Sequence, residues 1–137
     1  MSARRTGRTQ DCDGGHARTR LRQAELFLDV AQASMGDGSG EQATVAAANA
    51  VNAAIAAADA LCCALAGRRH RGSDHRGAAD LLDQVSGDQR LAALLRQVLD
   101  LKDQAQYGLS NVRADRARSA IREAGQLVEA ARERVRG

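Results

Sequence analysis

The chain has 137 residues, which favours a single domain, and it contains one Tyr, one Phe, no Trp and no Pro. So few aromatic residues argue against an extended sheet, whereas the many Ala, Leu, Arg and Gln residues favour helices. The formal net charge is +3, and most of this excess lies in the first 22 residues, which indicates a basic tail and not a basic groove. We therefore predict an all-α protein with a disordered basic tail at residues 1–18 and a helical-bundle domain at residues 19–137.

The first predicted helix runs from about Thr19 to Met35, where apolar residues recur every three or four positions. A glycine-rich loop at residues 36–40 follows it. Residues 41–66 form the second predicted helix, which is rich in Ala and free of Gly and Pro. Because nearly every side of this helix is apolar or small, we expect it to lie at the centre of the bundle.

Three polar residues interrupt the central helix, and they fall within about 80° of one another on a helical wheel. They are Asn49, Asn52 and Asp59. A membrane span is the alternative interpretation of so apolar a segment, but three polar residues near its middle argue against it. We expect no membrane association, and a polar stripe facing a cleft.

The remaining helices are predicted at about residues 74–85, 88–106 and 113–135, and Ser73 is the expected N-cap of the first of these. The second carries a regular Leu stripe. Short connections between these segments predict a compact antiparallel bundle of four to five helices.

The three cysteines are Cys12, Cys62 and Cys63. Residues 1–10 lack the apolar segment of a secretory signal, and the side chains of adjacent Cys62 and Cys63 point about 100° apart on a helix. We therefore expect reduced, core-filling thiols in a cytoplasmic protein, with no metal site and no cofactor.

Two polar clusters could bind a ligand, since the Walker A, HExxH and paired CxxC motifs are absent. The first is a basic patch, Arg68, Arg69 and Arg71, with His75 beyond it; Arg side chains hold phosphates well, but a solvated loop is the simpler alternative. The second lies at the end of the fourth predicted helix and comprises Lys102, Asp103, Gln106 and Tyr107. An ordinary helix end, with a Lys beside the negative pole of the helix dipole, is its alternative.

The order of several segments resembles a known family. An Ala-rich helix ending in AAADALCCALAGRR is followed by SDHRGAADLL, by LKDQAQYG and by RADRARSAIREAGQLVEAARERV. This order resembles the HEPN superfamily (higher eukaryotes and prokaryotes nucleotide-binding domain) over about residues 20–135. The resemblance implies an all-α bundle that commonly dimerises.

Many HEPN proteins are metal-independent ribonucleases, and many of those are toxins held in check by a nucleotidyltransferase-like antitoxin. Their site combines an Arg, usually followed by a polar residue, with a His four to six residues later. This chain has Lys102, Asp103 and Tyr107 at the corresponding positions. A Lys holds phosphate without the guanidinium fork, and a Tyr side chain, with an ordinary pKa of about 10, is a poor general base. Arg69 and His75 have the family spacing but lie between the second and third predicted helices.

We therefore predict a HEPN-like binding or interaction module, nucleotide- or RNA-associated and homodimeric, with a degenerate nuclease motif. One alternative is a ribonuclease toxin that uses Lys102 or the Arg69–His75 pair, and another is a structural helical adaptor without a ligand. A nucleotidyltransferase-like antitoxin or another protein is the expected partner. The predicted binding cleft is lined by Asn49, Asn52, Asp59, Lys102 and Gln106, with Asp103 and Tyr107 beside them.

Overall fold

The computed structural model describes residues 8–72 and 75–136. Within these ranges the chain forms five helices of eleven residues or more, one six-residue helix and a two-stranded sheet. The elements in order are β1 (Thr9–Asp11), α1 (Gly14–Ser34), α2 (Gly40–Ala66), β2 (Arg68–His70), α3 (Arg76–Ser86), α4 (Gln89–Leu99), α5 (Lys102–Tyr107) and α6 (Ala114–Arg136). The prediction of an all-α bundle is therefore confirmed.

Helix α2 lies at the centre of the bundle and contacts all five other helices of the described chain. Its Ala residues are mostly inaccessible to solvent, because small side chains let the neighbouring helices approach closely. By length and composition α2 alone among the described helices could cross a membrane, but 67% of its most apolar window is buried inside the bundle. It ends at Gly67, whose positive φ of 69° suits a left-handed cap.

The first helix begins earlier than the sequence predicted, at Gly14 instead of Thr19. Asp13 is its N-cap: the carboxylate accepts the backbone N–H of His16 at 2.9 Å, and His16 Nδ1 accepts the backbone N–H of Asp13 at 3.0 Å. This reciprocal pair stabilises a first turn that Gly14 and Gly15 disfavour. Residues 8–18 are thus folded, contrary to the predicted disordered tail, whereas residues 1–7 lie outside the described ranges.

The strands β1 and β2 pair in antiparallel register, with Thr9 opposite His70 and Asp11 opposite Arg68. All three β1 residues are exposed, so the pairing rests on backbone hydrogen bonds. Two more such bonds extend it, from Cys12 N–H to the Gly67 carbonyl at 3.0 Å and from Arg71 N–H to the Arg8 carbonyl at 2.9 Å. Nothing in the sequence indicates this short sheet, because Thr9 is the one β-branched residue of the two segments and neither segment alternates apolar and polar residues.

The fourth predicted helix is divided into α4 and α5. The backbone N–H of Leu101 bonds to the Val98 carbonyl at 3.0 Å, which makes a tighter turn than an α-helix, and the Leu101 side chain is buried. No Gly or Pro marks this break. Helix α3 begins at Arg76, and the expected N-cap Ser73 lies outside the described residues.

The prediction of three reduced cysteines is wrong for two of them. Cys12 and Cys63 form a disulfide across 51 residues of sequence, with their Cα atoms 5.4 Å apart. The bond joins the segment before α1 to the last turns of α2. Cys62 is free and buried, and that burial raises the pKa of its thiol to about 12. Cys62 therefore fills the core as a neutral thiol, as expected.

Candidate functional site

An open cavity of about 520 Å³ lies where the starts of α3 and α5 meet the end of α4. We call it the His75–Lys102 cavity, after two of the residues that line it. Its lining carries three cationic side chains, three Asp side chains, one His and one Leu: His75, Arg76, Asp80, Arg96, Leu99, Asp100, Lys102 and Asp103.

The charges around this cavity are partly paired. Arg96 Nη2 contacts Asp80 Oδ1 at 2.9 Å, which links α4 to α3, and both side chains are about half exposed. Lys102 Nζ lies 5.3 Å from the centre of the Tyr107 ring, within the range of a cation–π contact. The cavity is therefore polar and of mixed charge, and the ammonium group of Lys102 lies beside an aromatic ring.

Tyr107, which the family resemblance predicted at the position of the His, does not line this cavity. It is the last residue of α5 and is 73% exposed. It borders a separate, shallow surface depression together with Asp103 and Leu109. The three motif positions are thus close in sequence, but only Lys102 and Asp103 share the cavity with His75.

The predicted polar stripe of α2 does not form one cleft. Asn49 Nδ2 donates to the Val45 carbonyl of its own helix at 3.0 Å. Asn52 Oδ1 accepts Gln106 Nε2 at 3.3 Å and so fastens α5 to α2. Neither residue lines the His75–Lys102 cavity. The expected proximity of Asn52 and Gln106 is observed, but it serves the packing of two helices.

Asp59 lies elsewhere, in a cluster of ion pairs between α1, α2 and β2. It is 5% exposed, and its Oδ2 accepts Arg20 Nε at 3.0 Å, Arg20 Nη2 at 2.9 Å and Arg69 Nη1 at 3.0 Å. The other amino groups are also engaged: Arg69 Nη2 donates to Gln10 Oε1 at 2.9 Å and Arg20 Nη1 to Gln23 Oε1 at 2.6 Å. A buried carboxylate requires such partners.

Sequence reasoning missed Arg20. The signal was a single carboxylate in the middle of an Ala-rich helix, which requires a cation nearby, but the sequence does not say which of many Arg residues supplies it. The cluster borders a second cavity of about 370 Å³, next to the disulfide, that is lined by Gln10, Asp11, Cys12, His16, Thr19, Arg20, Gln23 and Arg69.

The predicted basic patch is therefore not a free surface of three guanidinium groups. Arg69 is committed to Asp59, and Arg68 and Arg71 lie at the start of β2 and just after its end. Arg69 lines the second cavity, whereas His75 lines the first, so the structure does not bring this pair into one cavity.

His70 is the one described residue with buried side-chain nitrogens, Nδ1 and Nε2, that lack a hydrogen-bond partner. Its ring lies edge-on to His75, with the ring centres 6.5 Å apart. Among the described residues, no three His, Cys, Asp or Glu side chains gather closely enough to hold a metal ion. The ring contact packs the end of β2 against the residue that precedes α3.

Comparison with protein-family models gives a match to the HEPN domain over residues 17–134. The comparison with curated proteins found no match. The matched segment contains α2 to α5 completely and α1 and α6 except for two or three terminal residues of each, but neither the first strand nor Cys12. Because the match covers most of the chain, and because the fold is an all-α bundle around α2, this chain belongs to the HEPN domain family.

Proposed function

We propose that this HEPN chain is a binding module that holds the phosphate of a nucleotide or an RNA in the His75–Lys102 cavity and does not cleave it. The observation that supports this proposal is the position of Lys102, which replaces the family's Arg and lines an open cavity together with Arg76 and Arg96. A volume of about 520 Å³ lies within the usual range of small-ligand sites, about 300–1,000 Å³. Ammonium and guanidinium groups are the usual phosphate ligands in proteins.

The absence of cleavage follows from the motif. A metal-independent ribonuclease needs a group that accepts the proton of the 2′-hydroxyl, and His is the usual choice. The family's His is Tyr107 here, and that side chain is 73% exposed and outside the cavity. Binding therefore requires only Lys102 and its neighbours, whereas cleavage would require a different base.

His75 supports a second candidate function, a ribonuclease toxin. It shares the cavity with Lys102, so an imidazole and an ammonium group could act on the same phosphate, the first on protons and the second on charge. This pairing replaces the Arg69–His75 pair considered from the sequence, since Arg69 is committed to Asp59.

One set of samples tests both candidates. Fluorescein-labelled single-stranded RNAs of varied sequence are mixed with the protein in EDTA, and anisotropy reports binding while gels report cleavage. We expect binding without cleavage, and we expect Lys102→Ala to weaken binding about tenfold, since a charged hydrogen bond contributes about 1.5–3 kcal/mol. Arg122→Ala is the matched control, because it removes one positive charge from α6 outside the cavity lining.

Each alternative predicts a different result. Cleavage that is lost in His75→Ala would establish the ribonuclease. Binding that Lys102→Ala and Arg122→Ala weaken equally would mean that RNA contacts the surface without using the cavity. No binding to any RNA or nucleotide would support the structural adaptor.

The chain offers a further probe of the site, because Lys102 is its sole lysine. An acylating reagent selective for amines modifies only Lys102 and the N-terminal amine. A bound RNA should slow the modification of Lys102 and leave the modification of the N-terminal amine unchanged, as peptide mass spectrometry can measure. Equal slowing of both would argue against a phosphate at the cavity.

The proposal also includes a homodimer and a cytoplasmic location. An exposed apolar strip on α1 supports self-association: Leu26 and Val30 are 46% and 47% exposed and flank Phe27. Analytical ultracentrifugation should show a dimer that Leu26→Glu converts to a monomer.

A nucleotidyltransferase-like protein is the proposed alternative partner, and co-purification of the two chains would test it.

A further inference from the structure

We propose that the Cys12–Cys63 disulfide is a redox latch: it holds β1 against β2, and its reduction by a dithiol releases residues 8–12 and loosens the His75–Lys102 cavity. The release itself depends only on the contacts of β1. The effect on the cavity rests on the proposed function.

Few other contacts hold β1. Its three residues are exposed and pair with the three residues of β2. Only two further backbone hydrogen bonds, those of Arg8 and Cys12, continue this pairing beyond the strands. One side-chain bond, from Arg69 to Gln10, is added to these. Since a three-residue exposed strand buries little apolar area, the covalent bond is its main attachment.

Release should stop at Asp13. From that residue onward the chain is held by the capping box with His16, and by Ala17 and the other buried residues of α1. Reduction is therefore expected to free the strand and leave the bundle folded. The segment that reduction frees therefore ends at the N-cap of α1.

The two cysteines of the disulfide differ in exposure. Cys12 is partly exposed and lines the open second cavity, whereas Cys63 is buried. Cys62, although adjacent to Cys63, is buried and stays protonated because burial raises its thiol pKa to about 12. Cys62 therefore does not exchange with the disulfide, and the reducing electrons must come from outside the chain.

The exchange requires a dithiol reductant. One of its thiolates attacks Cys12 Sγ, the Cys12–Cys63 bond breaks, and Cys63 leaves as a thiolate that takes up a proton. The second thiolate of the reductant attacks the mixed disulfide and releases Cys12, which also takes up a proton. Two electrons pass from the dithiol, which becomes a disulfide. In the cytoplasm, where we place this protein, disulfides are usually transient, as a latch requires.

The strand β2 connects this event to the cavity. It begins one residue after α2 and is followed in the chain by α3, and the cavity is lined by His75, which precedes α3, and by Arg76, the first residue of α3. The edge-on contact between His70 and His75 crosses the same junction. When β1 leaves, β2 loses its strand partner, and His70, whose ring contacts His75, is held less firmly.

Hydrogen exchange read by mass spectrometry tests the release. In the oxidised protein, the peptide that contains the Arg71 amide should be protected, because that N–H is bonded to the Arg8 carbonyl. Dithiothreitol should raise its exchange rate at least about tenfold while peptides from α2 and α6 stay protected. Cys12→Ser should show the fast rate with or without dithiothreitol. Cys62→Ser, the matched control, should behave like the unmodified chain.

Three results would overturn the latch. Unchanged protection of the Arg71 peptide on reduction would mean that hydrogen bonds alone hold β1. Loss of protection throughout α2 and α6 would mean that the disulfide stabilises the whole fold. A slow exchange rate of the Arg71 peptide in Cys12→Ser would mean that this disulfide does not control the exchange.

The link to the cavity is read separately, as the RNA affinity of oxidised and reduced protein. Reduction should weaken binding several-fold, and Cys12→Ser should bind like the reduced chain. Equal affinities beside a released strand would refute the link and leave the latch. If neither state binds RNA, the proposed function fails, and hydrogen exchange still decides the latch.

Discussion

The buried carboxylate of Asp59 allows the strongest prediction about stability. Its Oδ2 accepts three N–H groups from Arg20 and Arg69, and the residue is 5% exposed. The substitution Asp59→Ala removes the only negative charge of this cluster. It leaves two guanidinium groups side by side without a counter-charge, joined only to neutral Gln side chains.

The expected loss of stability depends on how far water can hydrate the two guanidinium groups that lose their counter-charge. Removing one partner of a fully buried ion pair costs about 3–5 kcal/mol. The side chains of Arg20 and Arg69 remain 25% and 34% exposed, so both cations recover part of their hydration. We therefore expect the free energy of unfolding to fall by about 2–3 kcal/mol, less than the fully buried value because of solvent screening.

Urea unfolding followed by circular dichroism measures this change. With a slope of about 1–3 kcal/mol per molar urea, the midpoint should fall by roughly 0.7–3 M. Asp115→Ala is the matched control: its ion pair with Arg113 is 70% and 84% exposed, so its removal should change stability by less than about 0.5 kcal/mol. A loss below about 1 kcal/mol for Asp59→Ala would refute the reasoning that the cluster is desolvated.

Two further predictions concern glycine and cysteine. Gly108→Ala should destabilise the protein by about 1–3 kcal/mol, because a new Cβ would lie 2.8 Å from the carbonyl oxygen of Gln104. Gly125→Ala in α6 should instead stabilise it by up to about 1 kcal/mol, because the nearest atom is 4.0 Å from the new Cβ and Ala favours a helix. Thermal unfolding of the two variants should show these opposite signs, and equal effects would contradict them. Burial raises the pKa of the Cys62 thiol from its ordinary value of 9.0 to about 12, so the unfolded chain gives up this proton first, and stability should fall as pH rises through this range. Urea midpoints at pH 8 and pH 10.5 should therefore differ less in Cys62→Ala, and an identical difference would show that other groups cause the decline.

Local sequence features determined the helical framework. The absence of Gly and Pro at residues 41–66, with Ala at half of the positions, was enough to predict α2 to within one residue of its observed start at Gly40. The glycine-rich loop before it and Gly67 after it set its ends for reasons that act within a few residues. The resemblance to the HEPN family used the same local patterns in order, and the family match confirms it.

Local sequence signals did not predict helix ends where a capping interaction or the packing of a side chain outweighs helix propensity. Gly14 and Gly15 hid the start of α1, because the Asp13–His16 capping pair outweighs their poor helix propensity. The break at Leu101 carries no sequence signal, since packing of that side chain into the core decides where the helix turns.

The candidate site was decided by tertiary structure. Sequence reasoning identified Lys102, Asp103 and His75, but not that they share one cavity. It assigned Asp59 to a binding cleft, whereas the structure buries this carboxylate in ion pairs with Arg20 and Arg69. The Cys12–Cys63 disulfide was likewise decided by tertiary structure, because it joins residues 51 positions apart in the sequence. Periodicity shows which side chains are buried, because burial repeats with the helical turn. It does not show which distant residue meets which, because that depends on how the helices pack.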